Sequence, residues 1–183
     1  MAEHLDDKEL LSEFKDPTTK ERGYTRIIKK YQEKLYWHIR RMVVEHEDAN
    51  DVLQNMFIKV WKGLENFRED SQLYTWLYRI ATNESLSFLE QRKKRSSISI
   101  SDEDNGLANK VRASEHFDAN KLEWKLQIAI QQLPEKQRAV FNLRYYDEMP
   151  YEEMSRVLET SQGALKASYH HAVKKIEDYI LNR

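Results

Sequence analysis

Apolar residues recur at steps of three and four along most of this chain, and strand-like alternation is confined to one short run at Ser97 to Ser101. From Asp6 to Phe14, Leu10, Leu11 and Phe14 predict a short helix behind an acidic start, ended by Asp16 and Pro17. From Thr18 or Thr19 to about Val44, the stripe Tyr24, Ile27, Ile28, Tyr31, Leu35, Ile39 and Met42 predicts a long core-facing helix. A break at His46 to Asp48 follows, with Asp48 the expected N-cap of a helix that turns Val52, Leu53, Met56, Phe57, Val60, Trp61 and Leu64 inward. Gly63 and Asn66 close that segment. After a mixed-charge loop, a helix expected from about Ser71 buries Leu73, Trp76, Leu77, Ile80 and Ala81, leaving Tyr74, Tyr78, Arg79 and Asn83 to other faces. It runs through Leu86 and Leu89 into the basic run Arg92 to Arg95.

Residues Ser96 to Asp118 read as a linker: serines, the acidic cluster Asp102 to Asp104, and the turn pair Asn105 and Gly106. The alternation inside it has no mate and cannot form a sheet. Beyond the linker, Leu122, Leu126, Ile130 and Leu133 mark a helix that stops before Pro134, and a second runs from Glu135 to about Tyr146. A third spans Tyr151 to Leu158. After the turn Glu159, Thr160 and Ser161, a last helix from Gln162 to about Leu181 buries Leu165, Tyr169, Ala172, Ile176 and Ile180. Two helices joined by so short a turn have the spacing of a helix-turn-helix. The second helix shows Lys166, Ala167, His170, His171, Lys174 and Lys175 outward, with nothing acidic until Glu177. That face suits DNA phosphates and base edges, the alternative being a solvated charged surface.

Composition narrows the class. The chain has 183 residues, 40% of them hydrophobic, with only four glycines and three prolines. Helix formers dominate, and two small all-α domains fit better than one large core. Net charge is −1, so any attraction to nucleic acid has to come from local patches. There is no cysteine, which removes disulfides, thiolate metal sites and thiol redox chemistry on this chain. The acidic, polar N-terminus has no signal-peptide run and no window approaches the length of a membrane span, so the expectation is a cytoplasmic protein without membrane insertion. His38 and His46 lie eight apart with no third ligand, and adjacent His170 and His171 point about 100° apart on a helix, so no metal is expected. No carboxylate pair or triad stands at catalytic spacing; no cofactor and no catalytic residue is expected.

Two surfaces remain open on the residues alone. Asp51, Gln54, Asn55 and Lys59 form a polar face suited to water or to a partner protein. The stretch FREDSQLYTWLYRIATN from Phe67 to Asn83 either packs its aromatics or offers them to unstacked bases beside the basic run.

The blocks DANDVLQNMFIKVWKGLENF, FREDSQLYTWLYRIATN and LPEKQRAVFNLRYYDEMPYEEMSRVLETSQGALKASYHHAVKKI, in this order, resemble a bacterial RNA polymerase sigma factor of the extracytoplasmic-function group. The resemblance implies a region 2 helical bundle over residues 1–95, a flexible linker over 96–120 and a region 4 helix-turn-helix over 121–183. It implies a factor that binds core polymerase, places it at promoters and helps melt the minus-ten region. Asp48, Asp51, Gln54 and Asn55 would meet the β′ clamp helices, with the β subunit as a further contact. Phe67, Arg68, Asp70, Ser71 and Asn83 would hold a flipped minus-ten base, with Tyr74, Tyr78 and Arg79 along the displaced strand. Gln162, Lys166, Ala167, His170, His171 and Lys174 would read the minus-thirty-five element. An anti-sigma factor is a further implied partner.

The sequence departs from the family pattern in places. Asn50 and Asn55 stand where acids are usual, Ser168 and His171 where arginines are usual, and Ala164 where threonine is frequent. Bidentate guanine reading by arginine is therefore largely missing from this helix, and an A and T rich preference is expected. A one-component repressor would leave the Asp51 to Asn55 face and the aromatic loop without a role. A helical adaptor would leave the basic last helix without one.

Overall fold

The computed structural model describes residues 6–96 and 121–182. Every regular element among them is helical: α1 (Asp7–Lys15), α2 (Lys20–Val43), α3 (His46–Gly63), a 3-10 turn (Leu64–Asn66), α4 (Leu73–Ser96), α5 (Lys121–Gln131), α6 (Glu135–Tyr145), α7 (Tyr151–Leu158) and α8 (Gln162–Leu181). The expected linker, apart from Ser96 at the end of α4, lies outside the described residues.

Helices α1 to α4 pack around the stripes that the sequence predicts. Ile27, Leu35, Ile39 and Met42 of α2, Val52, Met56 and Val60 of α3, and Leu73, Leu77 and Ala81 of α4 are all buried. Helix α1 closes one end through Leu10, Leu11 and Phe14, where the Phe14 ring meets Trp61 edge-on at 5.4 Å. The close approach of α1 and α2 depends on Gly23. A Cβ there would lie 2.7 Å from the Phe14 amide nitrogen, a distance real Cβ contacts do not reach.

Two helix starts differ from expectation. Helix α3 begins at His46 with Glu45 in the N-cap position, so Asp48 lies inside the first turn. Its carboxylate is taken by Arg92 Nη1 at 3.3 Å, so it faces α4. Helix α4 begins at Leu73, where the Gln72 carbonyl accepts from the Trp76 amide at 3.2 Å, and Ser71 stays in the loop.

Helices α5 to α8 form the second unit. Ala129, Ile130, Leu133, Phe141, Ala172 and Ile176 make its own core. The two units do not stand apart. Val140, Leu143, Met149, Met154 and Val157 join one continuous apolar cluster with the residues of α2 and α4. The apolar core is therefore shared between the two units.

Gly23→Ala is expected to lower the unfolding free energy by about 1 to 3 kcal/mol, as overpacking against rigid backbone does, while Gly163→Ala, which meets nothing within 4 Å, stays within about 0.5 kcal/mol. Urea titration of both variants checks the pair. Equal stability would mean that α1 is free to shift.

Candidate nucleic-acid interface

The helix-turn-helix forms because the chain reverses at Glu159, whose φ of 51° is left-handed. Ser155 Oγ donates to the Thr160 carbonyl at 2.7 Å across this turn, and Ser161 Oγ accepts from the Ala164 amide at 3.3 Å to start α8. Leu165, Ala172 and Ile176 anchor the helix inward, and Tyr169 stacks on Phe141 at 5.8 Å. Gln162, Lys166, Ala167, His170, His171 and Lys174 are all exposed. At steps of one, three and four they lie along one side of the helix, as the sequence predicts. Lys175 differs: its Nζ donates to Gln137 Oε1 at 2.9 Å, which ties α8 to α6.

On α3, Asp51, Gln54 and Asn55 are exposed, and Ile58 extends their stripe with 54% of its surface exposed. Asp48 leaves this group because of its pairing with Arg92. The basic run is also largely engaged. Arg92 donates to the Val43 carbonyl as well as to Asp48, Lys93 pairs with Glu135 at 3.0 Å, and Lys94 pairs with Glu90 at 2.8 Å.

The stretch from Phe67 to Asn83 divides by face. Arg68, Asp70 and Asn83 are exposed, and Ser71 and Tyr74 are half-buried. Glu69 turns the loop with a φ of 60°, and Lys15 of α1 holds its carboxylate at 3.0 Å. Phe67 is only 9% exposed. Its ring packs on Trp76 at 5.1 Å, and Trp76 covers Gly63. In this conformation Phe67 therefore belongs to the scaffold under the loop. Tyr78 is buried as well, at 5% exposure, which corrects its assignment to a free face of α4.

Tyr78 packs on the His38 ring of α2 at 5.1 Å, and the second unit covers its hydroxyl. Asp147, in the connection between α6 and α7, accepts from the Tyr78 hydroxyl at 3.3 Å and lies 3.0 Å from His38 Nδ1 and 3.5 Å from Arg41 Nη1. With Nδ1 protonated toward Asp147, His38 Nε2 accepts from the Thr82 hydroxyl at 2.8 Å. Thr75 Oγ1 donates to Glu153 at 2.5 Å, and Arg79 pairs with Glu159. Burial, and then the nearby Asp147 charge, push the Tyr78 hydroxyl above its usual range, so it stays a neutral donor.

Arg138 is the other tie. Its guanidinium donates to the Met42 carbonyl at 2.9 Å and to the Gln131 carbonyl at 2.7 Å, while Gln131 Nε2 donates to the Arg41 carbonyl at 2.9 Å. Burial lowers its pKa to about 10, so the group remains a cation at neutral pH. Sequence reasoning passed over Arg138, Asp147 and Glu153. His38, a polar residue inside the stripe from Leu35 to Met42, was the one signal that something polar lay opposite.

Comparison with known proteins follows this layout. The sigma-70 region 2 family matches residues 27–95 and the sigma-70 region 4 family matches residues 124–176. The chain is 32% identical over 164 residues to the RNA polymerase sigma-H factor of Pseudomonas aeruginosa, covering 85% of each protein. The chain belongs to the extracytoplasmic-function sigma factors. It is also 29% identical over 188 residues to the ECF RNA polymerase sigma-E factor of Escherichia coli, covering 98% of this chain and 97% of that one. Its fold matches the sigma factor RpoE of Bartonella quintana, solved with the anti-sigma factor NepR, with a TM-score of 0.68 at 18% identity over 86% of this chain and 96% of that one. It also matches CnrH, solved with the cytosolic domain of CnrY, with a TM-score of 0.67 at 20% identity over 93% of this chain and 94% of that one. As a sigma factor the chain directs promoter-specific transcription initiation. Among the described residues no helix is long and apolar enough to cross a membrane.

In this sigma factor Arg138→Ala should cost roughly 2 to 4 kcal/mol of unfolding free energy, because buried carbonyls lose a charged donor. Urea unfolding measures it, and a loss under about 0.5 kcal/mol would remove Arg138 from the interface.

Proposed function

We propose that the region 2 unit, residues 1–95, docks α3 on the β′ clamp helices through Asp51, Gln54 and Asn55. The loop Arg68 to Ser71, with Asn83, holds a flipped minus-ten base. The region 4 unit, residues 121–183, lays α8 in the major groove of the minus-thirty-five element, and residues 96–120 link the two. One observation carries this reading: α3 and α8 each leave a polar stripe exposed while their opposite sides are buried. The stripe on α8 is cationic and the stripe on α3 is not, which suits DNA for one and protein for the other.

The factor supplies binding energy and positions the polymerase, which does all nucleotide chemistry. It acts in the cytoplasm, where polymerase and promoter are. An anti-sigma protein is a natural partner, since the neighbour RpoE was solved with the anti-sigma factor NepR. Extracting a base costs a few kcal/mol, and stacking with edge hydrogen bonds returns a similar amount.

Reconstitution with sigma-free core polymerase and a genomic promoter pool is expected to give specific transcripts, and none from any promoter would sink the reading. Asn83→Ala should keep core binding and lose ~1 to 3 kcal/mol of open-complex stability, read by permanganate footprinting. Phe67→Ala is a poorer test, since emptying a buried aromatic site costs roughly 3 to 5 kcal/mol of fold stability. The double variant Lys166→Ala with His170→Ala should weaken upstream protection, with a salt slope shallower by about 1 for the lost lysine. An unchanged footprint would take α8 out of the groove.

A further inference from the structure

The exposed stripe of α8 carries two kinds of cation. Lys166 and Lys174 hold their charge at any ordinary pH, and between them the outward positions are Ala167, His170 and His171. The middle turn is therefore positive only when an imidazole takes a second proton, a change that imidazoles undergo between about pH 5 and 8. With both rings neutral the stripe has two positive charges, those of Lys166 and Lys174, and with both protonated it has four.

Neither histidine serves the fold. Both are exposed, and each ring has the other as its neighbour, 6.0 Å away between centroids. Among the described residues neither imidazole has a hydrogen-bond or ion-pair partner. Lys166 and Lys174 lie one turn either side of His170, Lys175 lies one turn beyond His171, and the first acids on the helix are Glu177 and Asp178. Acids on the helices packed against α8 meet other groups: Glu135 pairs with Lys93, Glu152 and Glu153 pair with Arg156, and Glu123 lies near Tyr146. Arg144 donates to the Met149 carbonyl and covers the Tyr151 ring. No carboxylate of the protein holds a second proton on either ring, so that role falls to the anions of a ligand.

Resting on the reading of α8 as the minus-thirty-five helix, we propose that His170 and His171 bind the DNA of that element as imidazolium ions. Promoter engagement then takes up protons and weakens as pH rises through the neutral range.

The geometry suits this role. Adjacent residues point about 100° apart on a helix, so in a major groove about 12 Å wide the two rings reach toward opposite walls. The exposed Gly163, Ala164 and Ala167 add little bulk in the turns before them, which lets the helix seat deeply. Electrostatics sets the sign. In the free helix two imidazolium rings among lysines repel one another. Phosphates offset that repulsion and favour the charged form of each ring. The DNA-bound state therefore holds more protons than the free state, and its advantage is full at low pH and lost as the bound rings deprotonate.

The test uses the full chain assembled with core polymerase and a promoter fragment recovered from the genomic pool. Affinity is measured by competition at fixed salt, near pH 6 and near pH 8, for the parent, for His170→Gln with His171→Gln, and for His170→Arg with His171→Arg. Substitutions at such exposed positions change folding stability little. The polymerase, His38 and His46 are common to all three, so their own titration cancels. On going from about pH 8 to about pH 6 the parent should tighten at least about tenfold more than the glutamine pair, as one gained charged hydrogen bond would give. Near pH 6 its logarithmic salt slope should also be steeper than that of the glutamine pair by about 1 to 2, from the counterions the two rings release. The arginine pair should lose the extra pH dependence and bind more tightly than the parent near pH 8. Parallel pH profiles for the parent and the glutamine pair overturn the proposal, and so does an arginine pair as weak near pH 8 as the glutamine pair. Promoter-specific transcription by the parent and its upstream footprint are scored separately, so failure of the sigma reading is distinguishable from failure of the proton linkage.

Discussion

The C-terminus of α2 is the constraint on which the arrangement of the two units turns. A helix leaves its last carbonyls without intrahelical partners, and here Val44 stops the helix at a φ of 75°, a costly conformation for a β-branched residue. The freed carbonyls are met from two directions. Arg92 of α4 takes Val43, whereas Arg138 and Gln131 of region 4 take Met42 and Arg41. Val44 itself then packs on Ile128 of α5. One helix end therefore holds its own bundle together and seats the other domain, and the polar contacts around Asp147 follow from that seating.

Charge is segregated to match. Region 4 turns its acidic stretch, Asp147 to Glu159, toward region 2, and leaves the cationic stripe of α8 in solvent. Net charge stays at −1, so the free molecule has little long-range attraction for DNA. The α3 stripe is open in this arrangement while Thr75 and Tyr78 are covered. The exposed polar surface of α3 and the covered polar groups of α4 are thus set by the same packing of the two units.

The helices were legible because their apolar stripes are long and glycine and proline are scarce. The exposed residues of α3 and α8 were legible for the same reason: a stripe fixes its opposite face. The errors came where one residue satisfies two neighbours. Tyr78 follows Leu77 and lies off the main stripe, so periodicity leaves it outside the bundle, whereas His38 of α2 and Asp147 of the second unit together cover it. Asp48 looked like a helix cap because an acid before an apolar run usually is one, but Arg92 makes it an ion-pair partner. The His38 and Asp147 contact joins residues far apart in sequence: His38 inside an apolar stripe signals a polar neighbour, but no local pattern of charge or spacing names Asp147.

Phe67 shows how far the family resemblance and this structure can differ without conflict. A ring packed on Trp76 over Gly63 is a sound support for the loop, yet its buried face leaves little to stack on a base. For the base pocket to use Phe67, the loop around Glu69 must shift, and its anchors are exposed ion pairs such as Lys15 with Glu69, worth little against solvent. Loop rearrangement is thus inexpensive compared with moving any helix of the bundle. Recognition can be confined to the loop while Leu73, Leu77 and Trp76 keep α4 in place.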